Sequence, residues 1–386
     1  MLRLISGILA ALIFALAAYA QVPESKTFDL RSYSTFWPAE GTQADVQAAI
    51  DDARDNIIAQ IWPSNDPFTR MPDSVDPFTY PVGALTTCAT ALPGCGSYTQ
   101  INSPNRLVWL RFNMPKGLIA RALYFPAKDS CFSGRLLIFH QGHNNTFTSQ
   151  ETDVLLQANG ECDDLLVVWM PLLGPNTVNT ADPNWPGTTV RVGASFATHD
   201  DLLPFASSSF NPLVYFMEPI IGSINYVSTL RTYTKIGMTG ISGGGWSTVL
   251  AAALDRRITH AYPVAGSWPQ FFWSLMPGVS PDLEQRLPGI SHEFANAGYG
   301  GDYATYIDLY LMAAYPAPRR LILIYNRSDP CCFAGGVSFE MRPQLQAMKT
   351  EAGGGYLDVR IDGTHSLHTI SAAARTSWIF PDFVNN

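Results

Sequence analysis

The stretch that decides the fold is Lys235-Ile-Gly-Met-Thr-Gly-Ile-Ser-Gly-Gly-Gly-Trp-Ser-Thr-Val-Leu-Ala-Ala-Ala-Leu254. Its first part, residues 235–239, is a short apolar run typical of a buried strand, and residues 246–254 are typical of a helix. Between them, the glycines of Gly240-Ile-Ser-Gly-Gly244 allow strand and helix to approach at a sharp turn that exposes the Ser242 hydroxyl. The flanking patterns favour this exposed serine over the alternative, an ordinary turn of glycine and serine.

Strand and helix patterns alternate along most of the chain. Such alternation predicts the α/β class, with a mostly parallel central sheet flanked by helices. A short Pro-Lys-Gly turn joins the first two strands, which predicts an antiparallel pair at one edge. The predicted strands are 106–112, 118–125, 135–139, 165–170, 235–239, 258–265, 320–325 and 356–361, and the predicted helices are 45–62, 149–159, 212–233 and 246–254.

The 386 residues divide into three predicted parts. Residues 1–20 form a targeting segment, and residues 21–105 form an N-terminal irregular and helical extension packed on the core. Residues 106–386 form the α/β domain, with loop or cap insertions at about 171–205 and 267–318, where Pro, Gly and aromatic residues lack a clear period. The aromatic residues of the second insertion either bind sugar or aryl groups or pack within a cap or core.

The N-terminus has the features of a secretory signal. Arg3 precedes the apolar run 4–16, and the small residues of Ala18-Tyr-Ala20 predict a cut after residue 20. The protein is therefore expected to be secreted, or periplasmic in a bacterium, and free of the membrane after cleavage. The alternative is a membrane anchor, for which the run is short against a span of about 20 residues. A net charge of −8 without a basic tract argues against a nucleic-acid partner.

Six cysteines in a secreted chain predict three disulfides, although six cysteines allow fifteen pairings. Cys88 and Cys95 bracket a loop rich in Pro and Gly that a disulfide would close. Cys131 and Cys162 each precede an apolar strand, so they would meet if those strands are parallel neighbours. The adjacent pair Cys331-Cys332 would then form a strained vicinal disulfide or remain as thiols.

A serine nucleophile requires an acid and a base, and the late strands supply both residue types. Asp329 follows the strand 320–325 and is the predicted acid, which would hold the imidazole in the required tautomer. The alternative is a turn or helix-cap aspartate ahead of Pro330. Asp302 and Asp308, inside the second insertion, are weaker candidates for the acid.

Two histidines follow the last predicted strand. His368, just before the final helix, is the predicted base, and His365, closer to the strand end, is the alternative base. At most one of them accepts the Ser242 proton, and the other is expected to line the site or to form local hydrogen bonds. The chain order serine, aspartate, histidine on successive late strands favours a catalytic over a structural role.

An oxyanion hole requires two backbone N–H groups aimed at the developing negative charge. Gly243, directly after the serine, is the first predicted donor. The second is expected from the loop that ends the strand 135–139, where Gly142 or His143 would donate. The alternative for His140 and His143 is a metal pair, but no third ligand accompanies them, and neither a metal nor an organic cofactor is expected.

Four stretches carry a resemblance to a known family: His140–His143, Met238–Trp246, Asp255–Ile258 and Ser328–Pro330. They resemble the α/β-hydrolase superfamily, from about residue 106 to the C-terminus, and a secreted branch related to acetyl xylan esterases and dienelactone-hydrolase-like esterases. The resemblance implies the α/β-hydrolase fold, with Ser242 as nucleophile, Asp329 as acid and a C-terminal histidine as base. The chain departs from the common pattern in its His-Gln-Gly-His loop and in the Cys-Cys pair after the acid.

These features together predict a secreted serine esterase that cleaves small-molecule or carbohydrate esters through an acyl-enzyme. Alternatives of the same fold are a secreted serine peptidase, although the sequence has no propeller repeats, and a lipase, whose mobile apolar lid the second insertion would supply. The alternative of another class is a non-catalytic binding protein, a type that usually lacks one of the three catalytic residues.

Two glycosylation sequons, Asn144-Asn-Thr and Asn326-Arg-Ser, fall in the predicted site loops. A glycan at either position would crowd the site, so both asparagines are expected to remain unmodified.

Overall fold

A computed structural model describes residues 29–36, 41–77, 108–127, 129–143, 153–154, 157–158, 160–173, 176, 199–207, 209–269, 304–334 and 337–386. The predicted targeting segment, Cys88, Cys95, Asp302, Asn144 and most of both predicted insertions lie outside these residues.

One nine-stranded sheet forms the centre of the described structure. The strands β1 to β9 are Ser74–Pro77, Val108–Asn113, Ile119–Phe125, Arg135–His140, Asp164–Val168, Lys235–Ile241, His260–Val264, Arg320–Asn326 and Tyr356–Asp362. Their order in the sheet is β1-β2-β3-β5-β4-β6-β7-β8-β9. From β5 to β9 in this order the neighbours run parallel, whereas β1, β2 and β3 pair antiparallel.

This topology confirms the mostly parallel sheet with an antiparallel edge. The prediction of a strand pair at that edge was incomplete, because β1 adds a third antiparallel strand from within the segment assigned to the irregular extension. Its four residues include Asp76 and Pro77 and carry no alternating apolar pattern, so only pairing with β2 defines the strand.

Helices lie between and after these strands. The helices α1 to α7 are Gln43–Ile61, Val214–Leu230, Gly243–Leu254, Tyr306–Ala313, Val337–Ala352, Ala372–Ala374 and Phe380–Asn385. A capping box between Thr42 and Asp45 starts α1, which packs against α3, α4 and α5. Among the described residues, no helix combines the length and apolar character needed to cross a bilayer.

The helix α3 lies at the centre of the core. Every one of its residues is buried, and it packs against β6, β7 and α4. A helix that is apolar on all sides is stable only where it is enclosed. Trp246 near its start is fully buried, and its indole N–H donates to the Tyr306 hydroxyl of α4 over 3.0 Å. The packing of α3 against β6, β7 and α4 therefore fixes the position of the turn from which this helix begins.

Two disulfides are present among the described cysteines. Cys131 and Cys162 are joined, as the strand pattern predicts, because each lies just before one of the parallel neighbours β4 and β5. Cys331 and Cys332 form the vicinal disulfide rather than two thiols.

Candidate active site

The predicted site residues lie in loops at the carboxyl ends of the parallel strands. The chain passes from the central strand β4 to β5, which pairs on one side of β4, whereas β6 pairs with β4 on the other side. Loops after β4 and β6 therefore diverge, which opens a crevice where ligands bind in sheets of this kind. Ser242 directly follows β6, and Gly142 and His143 follow β4. Asp329 follows β8, a strand that lies two spacings, or about 10 Å, from β6 in the sheet.

The Ser242 turn has the backbone geometry that the sequence predicts. Ser242 has φ 58° and ψ −128°, a region that residues with a side chain rarely adopt. Its N–H donates to the Val264 carbonyl of β7 over 3.0 Å, and its carbonyl accepts from the Trp246 N–H, also over 3.0 Å. These two hydrogen bonds fix the turn between strand and helix and leave the side chain partly exposed.

Two glycines allow the loop after β4 to rest directly on the start of α3. A Cβ atom on Gly244 would lie 2.1 Å from the His140 carbonyl oxygen. Gly142 has φ 74°, and a Cβ there would lie 2.3 Å from the Ile241 carbonyl oxygen and 3.4 Å from the Gly243 nitrogen. This close approach places the backbone of both predicted oxyanion-hole segments side by side.

Asp329 and His368 are in direct contact. His368 Nδ1 lies 2.7 Å from Asp329 Oδ2, and because a carboxylate only accepts, Nδ1 carries the donated proton. This hydrogen bond fixes the neutral imidazole in the tautomer whose Nε2 lone pair is open. Nε2 is buried and has no hydrogen-bond partner among the described residues. In this structure Nε2 therefore holds no hydrogen bond, either to the Ser242 hydroxyl or to another described group.

The carboxylate of Asp329 is held in its ionised form. Burial by itself raises the pKa of Asp329, but the hydrogen bond and charge of His368, with the Cys331 N–H, outweigh burial and lower that pKa below its usual value. The Cys331 N–H donates to Oδ1 over 2.8 Å, so the first residue of the vicinal disulfide also fixes the acid. A buried negative charge here stabilises an imidazolium when one forms.

The alternative acid and base candidates contact other groups. His365 Nδ1 accepts from the Leu367 N–H over 3.1 Å, and its Nε2 lies 3.5 Å from Asp362 rather than near Asp329. Asp308 is fully buried at the start of α4, where it accepts from the Thr305 N–H over 2.9 Å. Asp308 therefore stabilises the start of a helix, whereas His365 forms a hydrogen bond within its own loop.

The loop after β4 contains a buried histidine that binds its own backbone. His140 is fully buried, and its Nδ1 accepts from the Gly142 N–H over 3.2 Å. Burial, with the nearby His143 and His199, lowers the pKa of His140 to about 3, so the ring is neutral at neutral pH. The Gly142 N–H is therefore engaged within its own loop.

Side chains from two further segments surround the backbone of Gly243. A Cβ atom on Gly243 would lie 2.5 Å from Met170 Sδ and 2.7 Å from His143 Cε1. The His143 ring stacks on His199 with centroids 5.2 Å apart, and His199 Nε2 donates to the Pro171 carbonyl over 2.9 Å. Within the described part of the chain, no group of three or more His, Cys, Asp or Glu side chains is placed to hold a metal ion.

Several contacts around the predicted site carry no signal in the local sequence. His199, from the first predicted insertion, begins the short helix His199–Phe205, and its ring packs against that of His143 at a tilt of 44°. Asn326 was noted only as a sequon, although it is buried beside Asp329. Trp268, from the aromatic second insertion, is buried against Phe333 and so packs within the core. No local pattern marks such contacts, because they join distant parts of the sequence.

Comparisons with known proteins find similarity in structure only. No protein-family model matches the chain, and no curated protein matches it in sequence. Acetyl xylan esterase 1 from Thermoanaerobacterium sp. JW/SL YS485 is similar in structure with a TM-score of 0.50 at 14% identity, over 87% of this chain and 92% of that chain. An acetyl xylan esterase from Paenibacillus sp. R4 has a TM-score of 0.49 at 14% identity, over 92% of this chain and 99% of that chain. The similarity to the first confirms the α/β-hydrolase fold.

Proposed function

We propose that this protein is a secreted serine hydrolase that cleaves carboxylic esters through an acyl-enzyme. One observation carries the proposal: the 2.7 Å hydrogen bond between Asp329 and His368 lies at the same sheet edge as the positive-φ turn of Ser242. A partly exposed serine, an oriented imidazole and a buried carboxylate, each after a parallel strand of the same sheet, are the parts that acyl transfer requires.

In the first half of the reaction, His368 Nε2 accepts the Ser242 proton while Oγ attacks the ester carbonyl carbon. The carbonyl oxygen becomes an oxyanion, which the N–H of Gly243 and the N–H of Gly142 or His143 stabilise. The bond from the carbonyl carbon to the leaving oxygen then breaks, and the imidazolium returns its proton to that oxygen. Asp329 keeps the imidazole oriented and stabilises its positive charge throughout.

In the second half, water takes the place of the alcohol. His368 accepts a proton from the water, whose oxygen attacks the acyl carbon of the ester on Ser242. The same N–H groups stabilise the second oxyanion. Collapse breaks the acyl bond to Oγ, the proton returns to the serine, and the carboxylic acid leaves. The chain's own residues supply every proton transfer.

The proposed substrates are small-molecule or carbohydrate esters. One similar solved structure is an acetyl xylan esterase by name, which makes acetylated sugars a reasonable first class to test. Secretion rests on the N-terminal signal pattern, and the Cys131–Cys162 disulfide is consistent with an oxidising compartment.

Covalent trapping tests the proposal directly. Purified protein is incubated with a fluorophosphonate, whose phosphorus the serine oxygen attacks with loss of fluoride. We expect one phosphonyl group per chain, mapped by peptide mass spectrometry to Ser242, and parallel loss of hydrolysis of a short-chain aryl acetate. Attachment at a different serine, or full turnover by the labelled protein, would contradict the assignment of the nucleophile.

His140 offers a prediction about the oxyanion loop. Substitution His140→Ala removes the acceptor of the Gly142 N–H, so the loop loses a hydrogen bond that fixes its own backbone. We expect kcat for aryl acetate hydrolysis to fall by about 10- to 100-fold. His140→Asn places Oδ1 where Nδ1 was and should retain most of the activity. Steady-state kinetics of both variants measures the difference.

A matched control for this comparison is His260→Ala. His260 is also a buried histidine with a lowered pKa, but it starts β7, at the opposite edge of the sheet. Its loss should leave kcat unchanged even if the melting temperature falls. Equal activity of His140→Ala and His140→Asn would show that the acceptor plays no part.

A further inference from the structure

Asn326 joins the acid and base loops through one side-chain amide. It ends β8 and is only 1% exposed. Its Nδ2 lies 3.3 Å from Asp329 Oδ2, 3.3 Å from the Leu367 carbonyl oxygen and 3.0 Å from the Thr369 carbonyl oxygen. The two carbonyls belong to the residues on either side of His368. A single NH₂ group therefore contacts the carboxylate and both flanks of the histidine.

These contacts constrain the relative position of the two predicted catalytic side chains. An amide nitrogen has two donor hydrogens, so three acceptors within reach share them. One acceptor is the same Oδ2 atom that receives the His368 proton. Movement of the base loop away from Asp329 would break the bonds to both backbone carbonyls at once.

The cost of burying Asn326 argues against a role in packing alone. Its Oδ1 is buried and has no hydrogen-bond partner among the described residues. An unpaired buried acceptor lowers stability, because it gives up its hydrogen bonds to water without a replacement. An apolar side chain would fill the same space without an unpaired acceptor. We therefore attribute the role of Asn326 to its amide donors.

We propose that Asn326 is a positioning residue, whose amide fixes the Asp329 carboxylate and the His368 loop as one unit. This inference rests on the proposed function. The same nitrogen is the attachment point of the Asn326-Arg-Ser sequon, so in the folded protein glycosylation and this positioning exclude each other.

The ionisable side chains near the loop of His368 determine which titration a pH profile of kcat measures. Among the described residues, His368 contacts Asp329, and His365 of the same loop lies 3.5 Å from Asp362. An amide donor on Asp329 withdraws part of the carboxylate charge. Loss of that donor leaves more negative charge against the imidazole, which favours its protonated, inactive form.

The test is Asn326→Ala, assayed with a short-chain aryl acetate across pH. We expect kcat to fall by about 10- to 100-fold with KM within about threefold, because misplacement of a catalytic group affects the chemical step. The acid limb of the kcat profile should move to higher pH by roughly half a unit or more. If this variant does not fold, Asn326→Ser, which keeps one donor, should show smaller changes in the same directions.

Asn225→Ala is the matched control. Asn225 is another buried asparagine whose amide donates to two backbone carbonyls, those of Pro67 over 2.8 Å and Arg70 over 2.7 Å, away from the predicted site. Its loss should lower the melting temperature and leave kcat and the acid limb of the profile in place.

The possible outcomes separate this inference from the proposed function. If the wild type is active and the acid limb of the Asn326→Ala profile does not move, the inference alone is overturned, whether or not kcat falls. A wild type inert towards both the aryl acetate and the fluorophosphonate overturns the proposed function and, with it, the inference. A shifted limb with reduced kcat in an active enzyme supports both.

Discussion

Substitution Ser242→Ala is expected to lower kcat/KM for aryl acetate hydrolysis by at least about a thousandfold. The variant loses the atom that forms the acyl-enzyme, and neither Asp329 nor His368 supplies a replacement nucleophile. Residual hydrolysis would come only from binding and from oxyanion stabilisation of direct water attack. Steady-state rates of wild type and variant, measured side by side, test this expectation.

The fold should survive this change. Ser242 has φ 58°, a conformation that strains alanine about as much as serine, and the two hydrogen bonds that fix the turn use only backbone atoms. The melting temperature is therefore expected to stay close to that of the wild type. Unfolding of the variant would indicate that the hydroxyl itself holds the turn.

Ser247→Ala is the control for a missing hydroxyl on the same helix. Ser247 is fully buried in α3, five residues after Ser242, and its Oγ has no hydrogen-bond partner among the described residues. Wild-type activity of Ser247→Ala beside an inactive Ser242→Ala would assign the loss to the nucleophile. Equal activity of Ser242→Ala and wild type would remove the basis of the proposed mechanism.

A second large loss of activity is expected from substitution of only one of the two histidines in the loop after β9. His368→Ala should lower kcat by about 10³- to 10⁴-fold, because the serine then lacks its general base. His365→Ala should keep kcat within a few fold, since its ring contacts the Leu367 N–H and lies near Asp362. The two variants differ by three positions in one loop, so each serves as the control for the other.

Fluorophosphonate labelling extends this comparison to the nucleophile. Labelling of Ser242 should slow in His368→Ala and proceed at nearly the wild-type rate in His365→Ala, because only the base activates the hydroxyl. The reverse pattern would assign the base to His365 and would require the loop to rearrange away from the observed Asp329 contact.

The order of elements along the chain was accessible from sequence. Apolar runs of strand length and periodic helix patterns arise from local geometry, so the strand before Ser242 and the helix after it follow from adjacent residues. The observed strand ends at Ile241 and the helix begins at Gly243, which extends both predicted elements to the serine. Parallel pairing of such strands then predicts that Asp329 and the late histidines share an edge.

Contacts between distant residues were decided only by the tertiary structure. β1 is a strand because it pairs with β2, although its own four residues carry no strand pattern. Sequence position favours His368 over His365 only weakly, and the folded loop is what brings His368 within 2.7 Å of Asp329.

Asn326 shows most clearly that local sequence does not specify contacts between distant residues. Its sequence context marks a sequon, yet its amide contacts carbonyls 41 and 43 residues later in the chain. Local patterns specify elements because neighbouring residues share one backbone geometry. Partners across the sheet edge depend on how all elements pack, and that information is absent from any single stretch of sequence.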